Sequence, residues 1–164
     1  MRIKPHVQVD LTTSHITFDP QGADIYISLG IDRSVRPAVQ DLWPIIIDVN
    51  TANELAGIEL LSPYNYAVRG KVEKPEGGMY ARLECVLTDG VMPLNGPDVI
   101  FDGEQRVLQV SVPGGPEAAR IWRGARDVWV GASEMGQVSR LWIVLPRSIS
   151  DALAKRCAAM WDSR

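Results

Sequence analysis

The sequence predicts a mainly β fold: two pseudo-repeated antiparallel units, packed as a sandwich or closed as a barrel, with a C-terminal α-helix. Three observations predict it. Apolar residues alternate with polar or small ones over many short segments, the period-two signature of half-buried strands. The pattern then recurs within the chain: Ile16-Thr17-Phe18-Asp19 and Val99-Ile100-Phe101-Asp102 lie 83 residues apart, and the spacing persists without a gap through later segments. Helical periodicity is sparse and is clearest near the C-terminus.

In chain order, Val7, Val9 and Leu11 alternate as a first strand. Ile16-Thr17-Phe18 form a second strand and run into Asp19-Pro20, where the aspartate side chain can accept backbone N–H bonds and start a turn. Ile25, Ile27 and Leu29 line one face of the next strand, which puts Asp24, Tyr26 and Ser28 on the other. In the stretch carrying Val35, Pro37, Val39 and Leu42, Pro37 counts against a helix. Ile45-Ile46-Ile47 is a continuous apolar run suited to a central strand, and Asn50 to Asn53 is turn-like. Leu55, Ile58, Leu60 and Leu61 complete the first repeat, which is placed at residues 1–63 and closes at Pro63.

Residues 64–78 are a linker, broken by Lys74-Pro75-Glu76-Gly77-Gly78. The second repeat and the helix occupy 79–164. Its first strand carries Leu83, Cys85 and Leu87, offset by 76 from Val7, Val9 and Leu11, so this copy holds a seven-residue insertion near Thr88 to Leu94. Beyond that point the 83-residue offset governs. Leu108, Val110 and Val112 match Ile25, Ile27 and Leu29; Val128-Trp129-Val130 match Ile45 to Ile47; Ser133 to Gly136 match the turn. Val138, Leu141, Ile143 and Val144 match Leu55, Ile58, Leu60 and Leu61, and Pro146 matches Pro63. Pro116 suits a first helical turn, so a short helix is expected through Ala118, Ala119, Ile121 and Trp122. Ser148 and Asp151 resemble a capping box, after which Ile149, Leu153, Cys157 and Met160 form one apolar face of a helix ending near Trp161.

Composition excludes several classes. A formal charge of −3 gives no basic patch for nucleic acid. No apolar run reaches membrane-spanning length, and Met1-Arg2-Ile3-Lys4-Pro5 lacks the apolar stretch of a signal peptide, so a cytoplasmic protein is expected. Cys85 and Cys157 are far apart and read as two buried thiols. His6 and His15 lack metal-ligand spacing, no glycine-rich phosphate loop or nucleophile elbow is present, and no metal or cofactor is expected.

The run from Ile16 through Asp19-Pro20 and Ala23-Asp24-Ile25-Tyr26-Ile27, then Ile46-Ile47-Asp48-Val49 and Gly57-Ile58-Glu59-Leu60, resembles the bacterial domain-of-unknown-function family 2283. The resemblance covers residues 15–63, with a degenerate second copy at 98–146. It implies a compact antiparallel unit in a bacterial protein and no defined activity. In the second copy Asp24, Tyr26, Asp48, Gly57 and Glu59 become Val107, Gln109, Gly131, Arg140 and Trp142.

The candidate catalytic residues are therefore Asp24, Tyr26, Asp48 and Glu59, which make an acid/base or metal cluster only if strand pairing brings them together. Each also has a structural reading, in a turn or on a solvated sheet face. Trp142, Trp122 and Trp43 are candidate binding residues, because Trp142 stands where the first copy has Glu59 and so marks a second packed surface. Two functions remain open. One is a small binding or regulatory protein, such as a protein-interaction or antitoxin/immunity-like module with a protein partner. The other is a cofactor-independent cyclase or isomerase that holds a small apolar ligand in a pocket. A homo-oligomer is compatible with either.

Overall fold

The computed structural model describes residues 2–7, 14–30, 38–41, 44–86, 97–112 and 116–162. The strands are β1 (Arg2–Val7), β2 (His15–Phe18), β3 (Ile25–Ser28), β4 (Ala38–Asp41), β5 (Ile45–Val49), β6 (Leu55–Leu60) and the two-residue β7 (Val68–Arg69). They continue with β8 (Met79–Val86), β9 (Asp98–Asp102), β10 (Val107–Ser111), β11 (Arg120–Ala125), β12 (Val128–Ala132) and β13 (Val138–Val144), followed by helix α1 (Arg147–Trp161). They form two sheets. The first has the order β2-β3-β6-β5-β4; the second has the order β1-β8-β11-β12-β13-β10-β9-β7. The sheets are separate layers of a sandwich and do not close into a barrel.

Five strands of the second sheet, β9-β10-β13-β12-β11, repeat the order of the first sheet strand for strand. The register repeats too. Ile25 faces Leu60 as Leu108 faces Ile143, and Phe18 faces Ile25 as Phe101 faces Leu108, each pair displaced by 83 residues. A bulge between Asp48 and Val49 recurs between Gly131 and Ala132. The turns are equivalent in detail. Asp19 accepts the N–H groups of Gln21 and Gly22 at 2.9 and 3.0 Å, and Asp102 accepts those of Glu104 and Gln105 at 3.1 and 3.0 Å. Left-handed backbone occurs at Ala23 and Arg106, and again at Asn53 and Gly136. In β11 the offset is 82 in place of 83, since Arg120 faces Ala132 as Ala38 faces Val49, and a bulge follows beside Gly124. A Cβ at Gly124 would stand 3.5 Å from Leu83 and 3.7 Å from Leu29, so a small residue sits where the layers approach.

The inner faces supply one core. Ile25, Ile27, Ile45, Ile47, Ile58 and Leu60 of the first sheet pack in one cluster with Leu108, Val110, Val128, Val130, Leu141 and Ile143 of the second. Helix α1 adds Ile149, Leu153 and Cys157, spaced four apart on one face. It also reaches the first unit, where the Arg156 guanidinium donates to the Pro20 carbonyl, and the 64–78 interval, where Trp161 Nε1 donates to the Ala67 carbonyl at 3.2 Å. No helix among the described residues is long and apolar enough to cross a membrane.

Four expectations change. The opening strand is β1, which contains Val7 but starts at Arg2; Val9, Leu11 and Leu87 lie outside the described residues, as does the Thr88–Leu94 insertion. Nor does one opening strand flank each sheet: β1 and β8 pair with one another, Ile3 opposite Cys85, in the second sheet. Each is anchored to the turn of the other unit. Ile3 N–H donates to the Gly136 carbonyl at 2.7 Å, and Cys85 N–H donates to the Asn53 carbonyl at 2.6 Å. The expected helix at Pro116 is absent; Ile121 and Trp122 lie in β11, because pairing with β12 and β8 overrides a local helix-start signal. Helix α1 starts at Arg147 with Pro146 at the N-cap position, so Ser148 caps nothing and lies within the helix. The interval 64–78 includes the end of a 3-10 turn (Pro63–Asn65) and β7. Cys85 and Cys157 are free and buried; burial pushes their thiols up to about 12 and about 11.

Candidate functional site

The first sheet has one apolar face in the core and one polar face outward. Cross-strand pairing arranges the outward residues in rows: Thr17, Tyr26, Glu59 and Ile46 form one, and His15, Ser28, Gly57 and Asp48 form the next. Tyr26, Asp48 and Glu59 are therefore brought to one surface, each half-buried. Gly57 makes the convergence tight. A Cβ there would stand 2.6 Å from Tyr26 Oη and 3.2 Å from Asp48 Oδ2, so the phenol and the carboxylate meet over bare backbone. Burial holds the Glu59 carboxyl above its usual range, and the charges of Asp24 and Asp48 add to the effect.

Asp24 has a different task. Its carboxylate accepts the Ser62 N–H at 2.7 Å, while the Ser62 hydroxyl donates to the Gly22 carbonyl at 3.0 Å. This fastens the β2–β3 turn to the chain leaving β6, where Ser62 takes a left-handed conformation. Asp24, a candidate acid/base group in the sequence, is engaged here as an acceptor in a structural clasp. Its partner lies 38 residues away, and no local pattern announces it. Among the described residues, no group of three or more His, Cys, Asp and Glu is placed to hold a metal ion.

The equivalent face of the second unit is closed. Val107, Trp129 and Trp142, at the positions of Asp24, Ile46 and Glu59, form a separate apolar cluster with Val72. The chain between β7 and β8 crosses it. Trp129 Nε1 donates to the Gly77 carbonyl at 3.1 Å, and Lys74 Nζ and the Arg123 guanidinium lie 4.6 and 4.5 Å from the Trp129 ring. Trp142 is 4% exposed, and its indole N–H has no acceptor among the described residues. Trp122 is 5% exposed and belongs to the main core. Both candidate binding residues are thus buried among the described residues. The second packed surface expected from Trp142 does exist, and the chain's own 72–78 segment covers it. Trp43 lies outside the described residues.

A groove of about 630 Å³ runs between α1, β7 and the Asp102–Glu104 turn, with Trp161 at one side. It contains none of the sequence candidates. Of its acidic residues Asp102, Glu104 and Asp162, Asp102 is 2% exposed and accepts three backbone N–H groups, from Val72, Glu104 and Gln105, so it too is a structural acceptor. Lys71 is paired with Glu104 at the rim. Gly57, which the sequence marks for a bulge or a close backbone approach, shapes the surface by its missing side chain; sequence reasoning missed the covering role of the 72–78 segment.

The fold and site together define a β-sandwich of two repeated units, one with a polar outer face and the other with an apolar face covered by its own chain. No protein-family model matches the sequence, and no curated protein matches it.

Proposed function

We propose that the chain is a non-enzymatic binding or regulatory protein of the protein-interaction or antitoxin/immunity-like kind, and that the outer face of the first sheet is its partner-facing surface. The divergence of two equivalent faces carries the reading. The second unit replaces its polar residues with Val107, Trp129 and Trp142 and covers them with its own chain. The first has Tyr26, Asp48 and Glu59, although burial, with the charges of Asp24 and Asp48, sets an ionised Glu59 against folding. Residues kept against stability are expected where a surface is used. On this reading, the polar residues behind the likeness of 15–63 to family 2283 are the binding surface, and the protein acts in a bacterial cytoplasm. Two unpaired, buried cysteines support that compartment.

The alternative, a cyclase or isomerase acting in an apolar pocket, needs a cavity at Tyr26, Asp48 and Glu59, whereas the groove at α1 lies elsewhere and is flanked by charged residues. Affinity capture from native lysate tests the proposal. The unaltered chain is expected to retain a partner that a folded Asp48→Asn, Glu59→Gln variant, of equal or greater thermal stability, releases. Equal capture by both, or no partner at all, would contradict it.

A further inference from the structure

The two units differ at their edges as well as on their faces. In the second, β9 is flanked by β7 and β11 by β8, both in parallel pairing. In the first, the equivalent of β9 is β2, whose one neighbour among the described residues is β3. The consequence appears in the side chains: Val99 and Phe101 are 2% and 1% exposed, whereas their counterparts Ile16 and Phe18 remain partly exposed. Backbone polarity agrees. Asp19 N–H bonds the Asp24 carbonyl at 2.9 Å, so Thr17 also faces β3, and the alternation turns the N–H and C=O groups of Ile16 and Phe18 to the outside. At the equivalent edge the Phe101 carbonyl, turned the same way, accepts the Gly70 N–H at 3.3 Å.

We propose that β2 is a strand-addition site, and that it takes an extended segment of a protein partner in which aliphatic and basic residues alternate. This inference rests on the binding reading above and names the partner's form. Its chemistry follows from the surroundings. Inward side chains of an added strand would cover Ile16 and Phe18. Outward ones would lie beside Thr17, next to the row that holds Tyr26 and Glu59, with Asp24 and Asp48 nearby, and so favour cations. The chain supplies its own example: Val68-Arg69-Gly70-Lys71-Val72 includes β7, which runs along β9 in this manner.

The test uses a synthetic peptide of residues 66–72, titrated to millimolar concentration into the isotope-labelled full chain and followed by amide NMR. The amides of Ile16, Thr17 and Phe18 are expected to shift. Thr17→Lys, an exposed change that leaves the backbone groups intact, is expected to weaken the effect by about three- to tenfold through like-charge repulsion. Slow hydrogen exchange at Ile16 and Phe18 in the free chain, meaning an edge already occupied, would overturn the proposal. So would concentration-dependent shifts without peptide, meaning self-association, or the absence of shifts at β2. Shifts confined to Tyr26, Asp48 and Glu59 would remove the edge while leaving the binding face standing.

Discussion

Trp129 and Trp142 lie side by side under the 72–78 segment, yet the two indoles should respond differently to the same substitution. Replacing either by Phe removes roughly 40 Å² of buried apolar surface, a cost of about 1 kcal/mol. For Trp142 the change also weakens the contact of Arg140 with the ring, costing about 0.5–1 kcal/mol, and deletes a buried N–H that has no acceptor among the described residues, a relief of about 1–3 kcal/mol, so Trp142→Phe is expected to lie between about 1.5 kcal/mol stabilising and about 1 kcal/mol destabilising. For Trp129 it deletes a made bond to Gly77, costing about 0.5–1.5 kcal/mol, and weakens the contacts of Lys74 and Arg123 with the ring, costing about 0.5–1 kcal/mol. Trp129→Phe should therefore cost about 2–3.5 kcal/mol. At about 2–4 °C per kcal/mol for a chain of this size, that lowers Tm by about 4–14 °C, against a change of a few degrees in either direction for Trp142→Phe. Thermal and denaturant unfolding of both variants measure the difference. A Trp142→Phe cost equal to that of Trp129→Phe would refute the reasoning, since the Trp142 donor would then be satisfied.

Three further outcomes are expected. Glu59 has a folded-state pKa raised above its ordinary 4.5, so its favourable contribution is full below that pH and is lost as pH rises through the raised value. Glu59→Gln should therefore stabilise the chain at neutral pH, with the advantage vanishing below about pH 4.5 in a Tm-against-pH series. Gly57→Ala should cost about 1–3 kcal/mol, against the usual gain of about 0.5–1 kcal/mol, because its Cβ meets Tyr26 Oη; a double-mutant cycle with Tyr26→Phe should recover part of the loss. Gly136→Ala should cost more than Asn53→Ala at the equivalent turn, about 2–5 kcal/mol by denaturant unfolding, since it adds left-handed strain to a Cβ placed 2.2 Å from the Ile3 carbonyl.

The repeat was legible in the sequence because its markers are local. Phe18-Asp19 and Phe101-Asp102 end equivalent strands, and both aspartates accept the same turn N–H groups. The alternation of Ile25-Ile27 and Leu108-Val110 reports which face is buried. What escaped depends on pairing between distant segments. Nothing in Arg2 to Val7 says that it pairs with β8 and docks on Gly136, and Val68-Arg69 is too short to stand out as a strand. Pro116 gives the same signal at a helix start as in a turn before a strand, and tertiary pairing decided between them. The convergence of Tyr26, Asp48 and Glu59 followed from period-two alternation once the strands were placed. The capture of Asp24 by Ser62 did not, because a carboxylate carries no mark of whether its acceptor oxygens are already engaged.

Residue-resolved amide hydrogen exchange on the full chain tests the central claim most directly: one unit, repeated, is covered by its own chain in the second copy and, among the described residues, uncovered in the first. Comparable slow exchange is expected at the equivalent central positions Ile27 and Val110 and at Ile58 and Leu141, with Phe101 protected beside β7 and Phe18 exchanging fast. Unrelated rates at the central pairs, or a Phe18 amide as slow as that of Phe101, would contradict it.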